Sequence, residues 1–258
     1  MFFLRRLYSL YALLVFVVVF ILLLPLFMLI IPIKPLHRFT GSLNYLWGIL
    51  FFGLIGMPVV RKMETKLDKR KAYVFCANHF SYLDIPSFAF TPVPYVFVGK
   101  SELSAIPLFG YMFKRLHIMV DRGNLRSRYQ VIKRSQEAID EGKSLVIFPE
   151  GGIITKNPPE MVKFKDGAFR SAIDKQIPIV PVTIPSNWII LPDDGRFLLN
   201  FAKMRVIYHS PIETKGMTLD DVEQLKNMTY QVIQKALWAY NPQAEEAQRT
   251  ETQYEFNT

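Results

Sequence analysis

Asn78-His79-Phe80-Ser81-Tyr82-Leu83-Asp84 places a histidine five residues before a carboxylate, directly after an apolar, strand-like run. Such a pair can act as base and orienter: the carboxylate holds the imidazole in one tautomer and stabilises the imidazolium formed when it takes a proton. On one continuous helix the two side chains would point about 140° apart, at about 100° per residue. They can therefore meet only if His79 lies on the turn before a helix and Asp84 near its first residues. The ordinary alternative is that Asp84, followed by Ile85-Pro86, is a helix N-cap and His79 a loop residue. The two readings are compatible.

Other groups with chemistry cluster at the ends of predicted strands. Gly99-Lys100-Ser101-Glu102 follows one apolar run, Asp121-Arg122 a second, and Pro149-Glu150-Gly151-Gly152 a third. Each has a simpler explanation: a surface lysine, a helix-start acid at Glu102, an exposed turn, or a glycine turn needing positive φ. Lys163 and Lys165 near Gly167 read equally well as surface charges. Cys76, inside Val-Phe-Cys, reads as a small buried hydrophobe rather than a nucleophile. Ser81 lacks the Gly-x-Ser-x-Gly turn of a hydrolase serine.

The elements that must position these groups are those of an α/β domain. Strands are expected at 72–76, 95–98, 145–148, 179–184 and 204–208. Helices are expected at about 85–91, 103–114, 124–141, 165–175 and 218–240. Alternation implies a mostly parallel central sheet flanked by helices, and ligands in such sheets bind beyond the carboxyl ends of the strands. Two uncharged apolar stretches, Leu7 to Ile33 and Phe39 to Val60, come first, and each is long enough to cross about 30 Å of hydrocarbon. They suggest an N-terminal hydrophobic helical hairpin over 1–62, ahead of a catalytic domain at 63–242 and a disordered polar tail at 243–258. A cleaved signal peptide fits the first stretch less well, because no small-x-small site follows it. Full spanning and a hairpin dipping into one leaflet both stay open: Lys34 and Arg38 lie between the stretches, and Pro25, Pro32 and Pro58 interrupt regular helix.

Of the 258 residues, positions 1–75 carry ten Lys/Arg against Glu64 and Asp68, while the rest carry 21 basic and 20 acidic residues. The basic excess thus sits beside the apolar stretches, where it favours anionic lipid headgroups over nucleic acid. With one cysteine, the chain has no internal disulfide and no cysteine-rich zinc site, and no metal is expected.

In this order the motifs resemble those of the glycerophospholipid acyltransferase family, in particular its 1-acylglycerol-3-phosphate (lysophosphatidic acid) acyltransferases. Asn78-His79-x-Ser81-x-x-Asp84 is similar to the family's first motif. Gly99-Lys100-x-Glu102-Leu103, Ile106-Pro107-x-x-Gly110 and Val120-Asp121-Arg122 are similar to its second. Phe148-Pro149-Glu150-Gly151 is similar to the third, and Ile177-Pro178-Ile179-Val180-Pro181-Val182 to the fourth. The resemblance covers about 72–210. It implies that His79, oriented by Asp84, deprotonates an acceptor hydroxyl that attacks the thioester of acyl-CoA or acyl-acyl carrier protein. It also implies a substrate-binding set of Lys100, Glu102, Arg122, Glu150, Gly151, Gly152 and Lys165. In that set Arg122, Lys100 and Lys165 hold the acceptor phosphate, and N–H groups around Gly151-Gly152 hold the oxyanion. No cofactor beyond the acyl donor is implied. The partners are membrane lipids and a lysophospholipid, and the expected location is the bacterial inner membrane with the catalytic domain on the cytoplasmic side.

One departure bears on the acceptor. Many family members continue the third motif with an arginine assigned to the acceptor phosphate, and here Ile153 stands in its place. Another lysolipid or an acylated amino-acid lipid is therefore an alternative acceptor. A thioesterase or lipase, and a catalytically silent lipid-binding protein, are the readings from other classes.

Overall fold

The computed structural model describes residues 2–100, 108–120 and 125–243, with side chains at all of these except 38, 100 and 125–129. Its centre is a seven-stranded sheet in the order β1-β7-β6-β2-β5-β3-β4. The strands are β1 (Val59–Met63), β2 (Val74–Ala77), β3 (Tyr95–Lys100), β4 (Ile118–Val120), β5 (Ser144–Ile147), β6 (Ile179–Thr183) and β7 (Met204–Tyr208). Every neighbouring pair is parallel except β6 with β7, so the sheet is mostly parallel.

The central strands are apolar on both faces because helices cover both. Val74 and Cys76 of β2 pack with Leu145 and Ile179 into a core that includes Phe169, Leu225 and Ile233. Phe75 and Ala77 point the other way, with Val146, Val180 and Val182, toward Phe88 and Tyr208. The helices are α1 (Phe2–Ile30), α2 (Thr40–Leu54), α3 (Asp84–Ser87), α4 (Phe109–Leu116), α5 (Leu125–Asp140), α6 (Gly167–Asp174), α7 (Asn187–Ile190) and α8 (Val222–Tyr240). Expected residues 101–107 and 244–258 lie outside the described residues.

The N-terminal third differs from its sequence reading in two ways. The second apolar stretch is not one long helix. Its helical part, α2, has 15 residues, roughly 22 Å at 1.5 Å per residue, short of the ~30 Å of a hydrocarbon core. After Gly56, at φ +69°, the chain turns and enters the sheet as edge strand β1. The hairpin boundary expected at 62 therefore moves to about residue 58, because Val59–Met63 pair in register with Met204–Tyr208. Among the described residues one helix, α1, is long and apolar enough to cross a membrane.

Helix α1 lies along the α/β body. Ala12, Val15, Val19, Leu23, Phe27 and Ile30 recur at spacings of three and four and are buried, sharing a cluster with Phe51, Leu83, Met112, Ile190 and Met204. At its start, Arg5 and Arg6 donate to the carbonyls of Leu198 and Arg196, and Ser9 Oγ accepts the Leu199 N–H at 2.8 Å. The opposite face of α1, with Leu4, Leu14, Leu22 and Leu29, is exposed.

Candidate active site

The loop after β2 carries the histidine–carboxylate pair, and four separate segments hold it. Asn78, fully buried, binds the backbone of Ile184 twice: its Nδ2 donates to the carbonyl at 3.0 Å and its Oδ1 accepts the N–H at 2.8 Å. That pins the loop to the end of β6. The N–H of His79 donates to Glu150 Oε1 at 2.7 Å, which ties the loop to the end of β5. The chain then reverses, and α3 begins at Asp84.

His79 Nδ1 lies 3.0 Å from Asp84 Oδ2. An ionised carboxylate only accepts, so Nδ1 carries the proton and Nε2 is left as the basic nitrogen. Among the described residues Nε2 has no hydrogen-bond partner, and the side chain keeps 13 % of its surface open. The ring stacks on Phe148, with centroids 4.1 Å apart and planes 20° from parallel. Bond and stack together fix the ring's tilt and direction.

Asp84 is completely buried and has four donors. Oδ2 accepts from His79 and from the N–H groups of Phe80 (2.8 Å) and Ser81 (2.9 Å), and Oδ1 accepts from Asn187 Nδ2 at 3.1 Å. These bonds offset the cost of burying its charge. The expected N-cap role is corrected: Leu83 occupies the cap position, and Asp84 binds backward to the loop that carries His79. Asn187 was missed by the sequence reading. It also donates to Ser87 Oγ at 2.9 Å, so it braces both Asp84 and its helix. Its place four residues beyond the end of β6 was the available signal, by the same strand-end rule that found the other groups.

Glu150 is also completely buried, and both its oxygens are used, Oε1 by His79 N–H and Oε2 by Val162 N–H at 3.2 Å. Both oxygens thus hold the loop and the Val162 backbone, which is the part of the substrate-binding set that the structure describes for Glu150. Burial pushes its pKa up to about 8, against the opposing pull of the two N–H donors.

Gly151 has φ +91°, a conformation that glycine adopts freely. The Lys165 side chain crosses directly over it, and a Cβ added at Gly151 would meet Lys165 Cε at 2.8 Å. The Lys165 N–H donates to Pro149 O, fixing that close approach. The Gly151 N–H is already bonded to Phe148 O at 3.0 Å, so it is not a free oxyanion donor. Gly152 N–H has no partner among the described residues. Lys100 ends β3 at the same carboxyl edge as His79 and Glu150, and its side chain, Glu102 and Arg122 lie outside the described residues. Cys76 is buried in β2 and burial pushes its thiol pKa up. Ser81 Oγ donates to Leu191 O. Neither is poised as a nucleophile. Among the described residues no three His, Cys, Asp or Glu side chains come together to hold a metal ion.

Beside α3, Tyr82, Ile85 and Pro86 open onto a cavity of about 490 Å³. Phe16 and Phe20 of α1, Trp47 of α2, Phe97 of β3 and Phe113 of α4 are among its walls.

Comparison with known proteins places this architecture. The acyltransferase family profile matches residues 59–185. An uncharacterised acyltransferase of Schizosaccharomyces pombe is 30 % identical over 202 residues, 75 % of this chain and 72 % of that protein. A 1-acyl-sn-glycerol-3-phosphate acyltransferase of Haemophilus influenzae is 28 % identical over 74 % of this chain and 79 % of its own. Chloroplast enzymes of that name from Brassica napus and Arabidopsis thaliana match at 28 % and 27 %, and this chain spans only about half their length. In three dimensions the crystal structure of the Thermotoga maritima 1-acyl-sn-glycerophosphate acyltransferase PlsC superposes with a TM-score of 0.75 at 20 % identity, over 92 % of this chain and 98 % of that one. The superposition shows the shared fold, and the S. pombe relative shows that this chain belongs to the acyltransferase family.

Proposed function

We propose that this chain acylates the free hydroxyl of a 1-acylglycerol 3-phosphate, giving phosphatidic acid for phospholipid synthesis. The observation that carries this reading is His79 Nδ1 bonded to a buried Asp84, with Nε2 unpartnered among the described residues. His79 Nε2 takes the hydroxyl proton as the acceptor oxygen attacks the thioester carbonyl of acyl-CoA or acyl-acyl carrier protein. The tetrahedral intermediate collapses, the C–S bond breaks, and the imidazolium returns its proton to the departing thiolate. No acyl-enzyme is needed, in keeping with the inert environments of Cys76 and Ser81. Gly152 N–H is the donor proposed for the oxyanion, since Gly151 N–H is occupied.

The names of the relatives support the acceptor, and Lys165 supports a phosphate. Its chain lies over the loop that packs beneath His79, while Ile153 brings no cation. Lys100 and Arg122 are proposed to share that role. The apolar cavity beside α3 would take the acyl chain. Membrane attachment is proposed to run through the exposed face of α1 into a single leaflet. Support for a single leaflet comes from α1 being held against the body from Arg5 through Phe27. The basic excess of residues 1–75 supports an anionic leaflet, as on the cytoplasmic side of a bacterial inner membrane.

The test is acyl transfer by purified protein, with acyl-CoA and acyl-carrier-protein donors crossed against lysophosphatidic acid and other lysolipids. His79→Ala should lower kcat about 10²–10⁴-fold; undiminished transfer would sink the assignment. Lys165→Met should raise KM for lysophosphatidic acid and leave KM for the donor unchanged. Equal turnover of uncharged and phosphorylated acceptors would refute the phosphate site.

A further inference from the structure

The cavity beside α3 is not apolar throughout. Asn44 of α2, Tyr95 of β3 and His117, the residue before β4, interrupt walls otherwise dominated by aromatic and aliphatic side chains. His117 Nδ1 accepts the Phe97 N–H at 3.3 Å, so in the neutral ring Nε2 carries the proton. Burial lowers the His117 pKa to about 3, which keeps the ring neutral. The residue nevertheless retains accessible surface, and the cavity it lines accounts for that surface. Among the described residues its Nε2–H has no acceptor.

Asn44 and Tyr95 are half spent in the same way. Asn44 Nδ2 donates to Tyr95 Oη at 3.3 Å, which leaves the Tyr95 O–H without an acceptor and Asn44 Oδ1 without a donor among the described residues. Tyr95 is buried, and burial pushes its pKa up, so the phenol keeps its proton. The Tyr95 and His117 rings both pack edge-on against Phe97, with centroids 5.4 and 5.3 Å from it. Buried polar groups normally find partners. Two unspent donors and one unspent acceptor on the wall of an apolar cavity are the pattern that orients a mostly apolar ligand. Their depth follows from the sheet register. Val96 is level with Leu145 and Val74, which puts Tyr95 at the level of Tyr73. From there β2 runs on for the four residues Val74–Ala77, roughly 13 Å at about 3.3 Å per residue, before the loop that carries His79. A chain whose thioester lies at His79 therefore meets these groups with its distal carbons.

We propose that His117, Tyr95 and Asn44 recognise a hydroxyl on the distal part of the acyl chain, so that a hydroxyacyl thioester is the preferred donor. The inference rests on the acyl-transfer reading above, in which this cavity takes the acyl chain. A hydroxyl fits the three groups because its oxygen accepts from His117 Nε2–H or Tyr95 O–H while its own proton goes to Asn44 Oδ1. A carboxylate does not fit, since neutral His117, Tyr95 and Asn44 offer its charge no counter-ion. An unsubstituted chain fills the same volume and leaves all three groups without the bonds that burial demands.

The experiment uses the full-length protein in neutral detergent, with palmitoyl-CoA and monohydroxypalmitoyl-CoA donors whose hydroxyl is moved along the chain. Donor binding is measured by calorimetry on His79→Ala, which separates it from turnover, and kcat/KM with lysophosphatidic acid is measured on the wild type. The expected result is binding tighter than that of palmitoyl-CoA by about 3–10-fold for a hydroxyl at one or two neighbouring distal positions, with no gain at proximal ones. The wild-type kcat/KM should rise by the same factor. Tyr95→Phe, His117→Phe or the two combined should return the ratio to one. Each ratio compares two donors on one protein, so a partly misfolded variant still reports it, and partition of the donors into detergent is common to every variant. The proposal is overturned if no hydroxyl position binds better than the plain chain, if the gain is equal at every position, or if it survives the double substitution. Absence of turnover with the binding preference intact would refute the acyl-transfer reading instead, and turnover with no preference would refute the hydroxyl site alone.

Discussion

Asp84 has four donors around two oxygens, and each donor comes from a different residue. Removing one leaves part of a buried carboxylate unpaired, at a cost of about 1–3 kcal/mol. Asn187→Ala should therefore lower stability by about that amount in urea unfolding. Because Asn187 acts on His79 only through Asp84, its loss should reduce kcat while KM for both substrates stays unchanged. Glu150 makes a different prediction. Its pKa is raised by burial from 4.5 to about 8, so the folded state binds this proton more tightly than the unfolded state. The contribution to stability is complete below pH 4.5 and is lost as pH rises through 8, on the order of a few kcal/mol in total. Glu150→Gln cannot ionise, so comparing unfolding midpoints of variant and wild type from pH 5 to 9 should show the decline in the wild type alone. An identical slope in both proteins would refute the raised pKa.

Among the elements, α2 is held close to its neighbour at Gly48. A Cβ on Gly48 would lie 2.8 Å from Ala89 Cβ and 3.1 Å from the Phe90 ring, so the helix can approach the turn after α3 only because residue 48 is glycine. Gly48→Val should push α2 away and cost about 1–3 kcal/mol by overpacking. Since Asn44 and Trp47 on the same helix line the apolar cavity, the variant should also change the relative rates with short and long acyl donors. A thermal melt and a donor-length series check the two effects separately. The sequence made α2 and its apolar character legible but overestimated its length. An uncharged run does not distinguish a helix from a helix followed by a buried turn and an edge strand. The partner that makes Val59–Met63 a strand, β7, is about 145 residues away.

At the scale of the molecule, the N-terminal helices are part of the fold as well as its apolar exterior. Phe51, Phe52 and the inner face of α1 share a cluster with Leu83, Met112, Leu116, Ile190, Leu199 and Met204 of the α/β body. Deleting residues 2–54 would expose that surface beside the active-site helix. The truncated protein should aggregate even in detergent and lose acyl transfer, as measured by size-exclusion chromatography and assay. A soluble, active body would refute this coupling.

Local chemistry and the alternation of elements are legible along the chain. His79 and Asp84 are close enough along the chain that one turn joins them, and apolar runs of four to six residues announce the buried strands whose ends carry them. The sequence also placed Glu150-Gly151-Gly152 at a strand end, and the family resemblance added Lys165 to them. How these residues are used depends on the assembled sheet. Glu150 serves the backbone of His79, 71 residues earlier, Gly151 N–H is consumed by its own turn, and Asn187 joins Asp84 from 103 residues away. These are contacts across the sheet, set by which strand lies beside which. Neither hydrophobic period nor local propensity encodes that order. The same holds for α1: its apolar length was plain, but that it lies along the body follows from side chains that meet only once the sheet has formed.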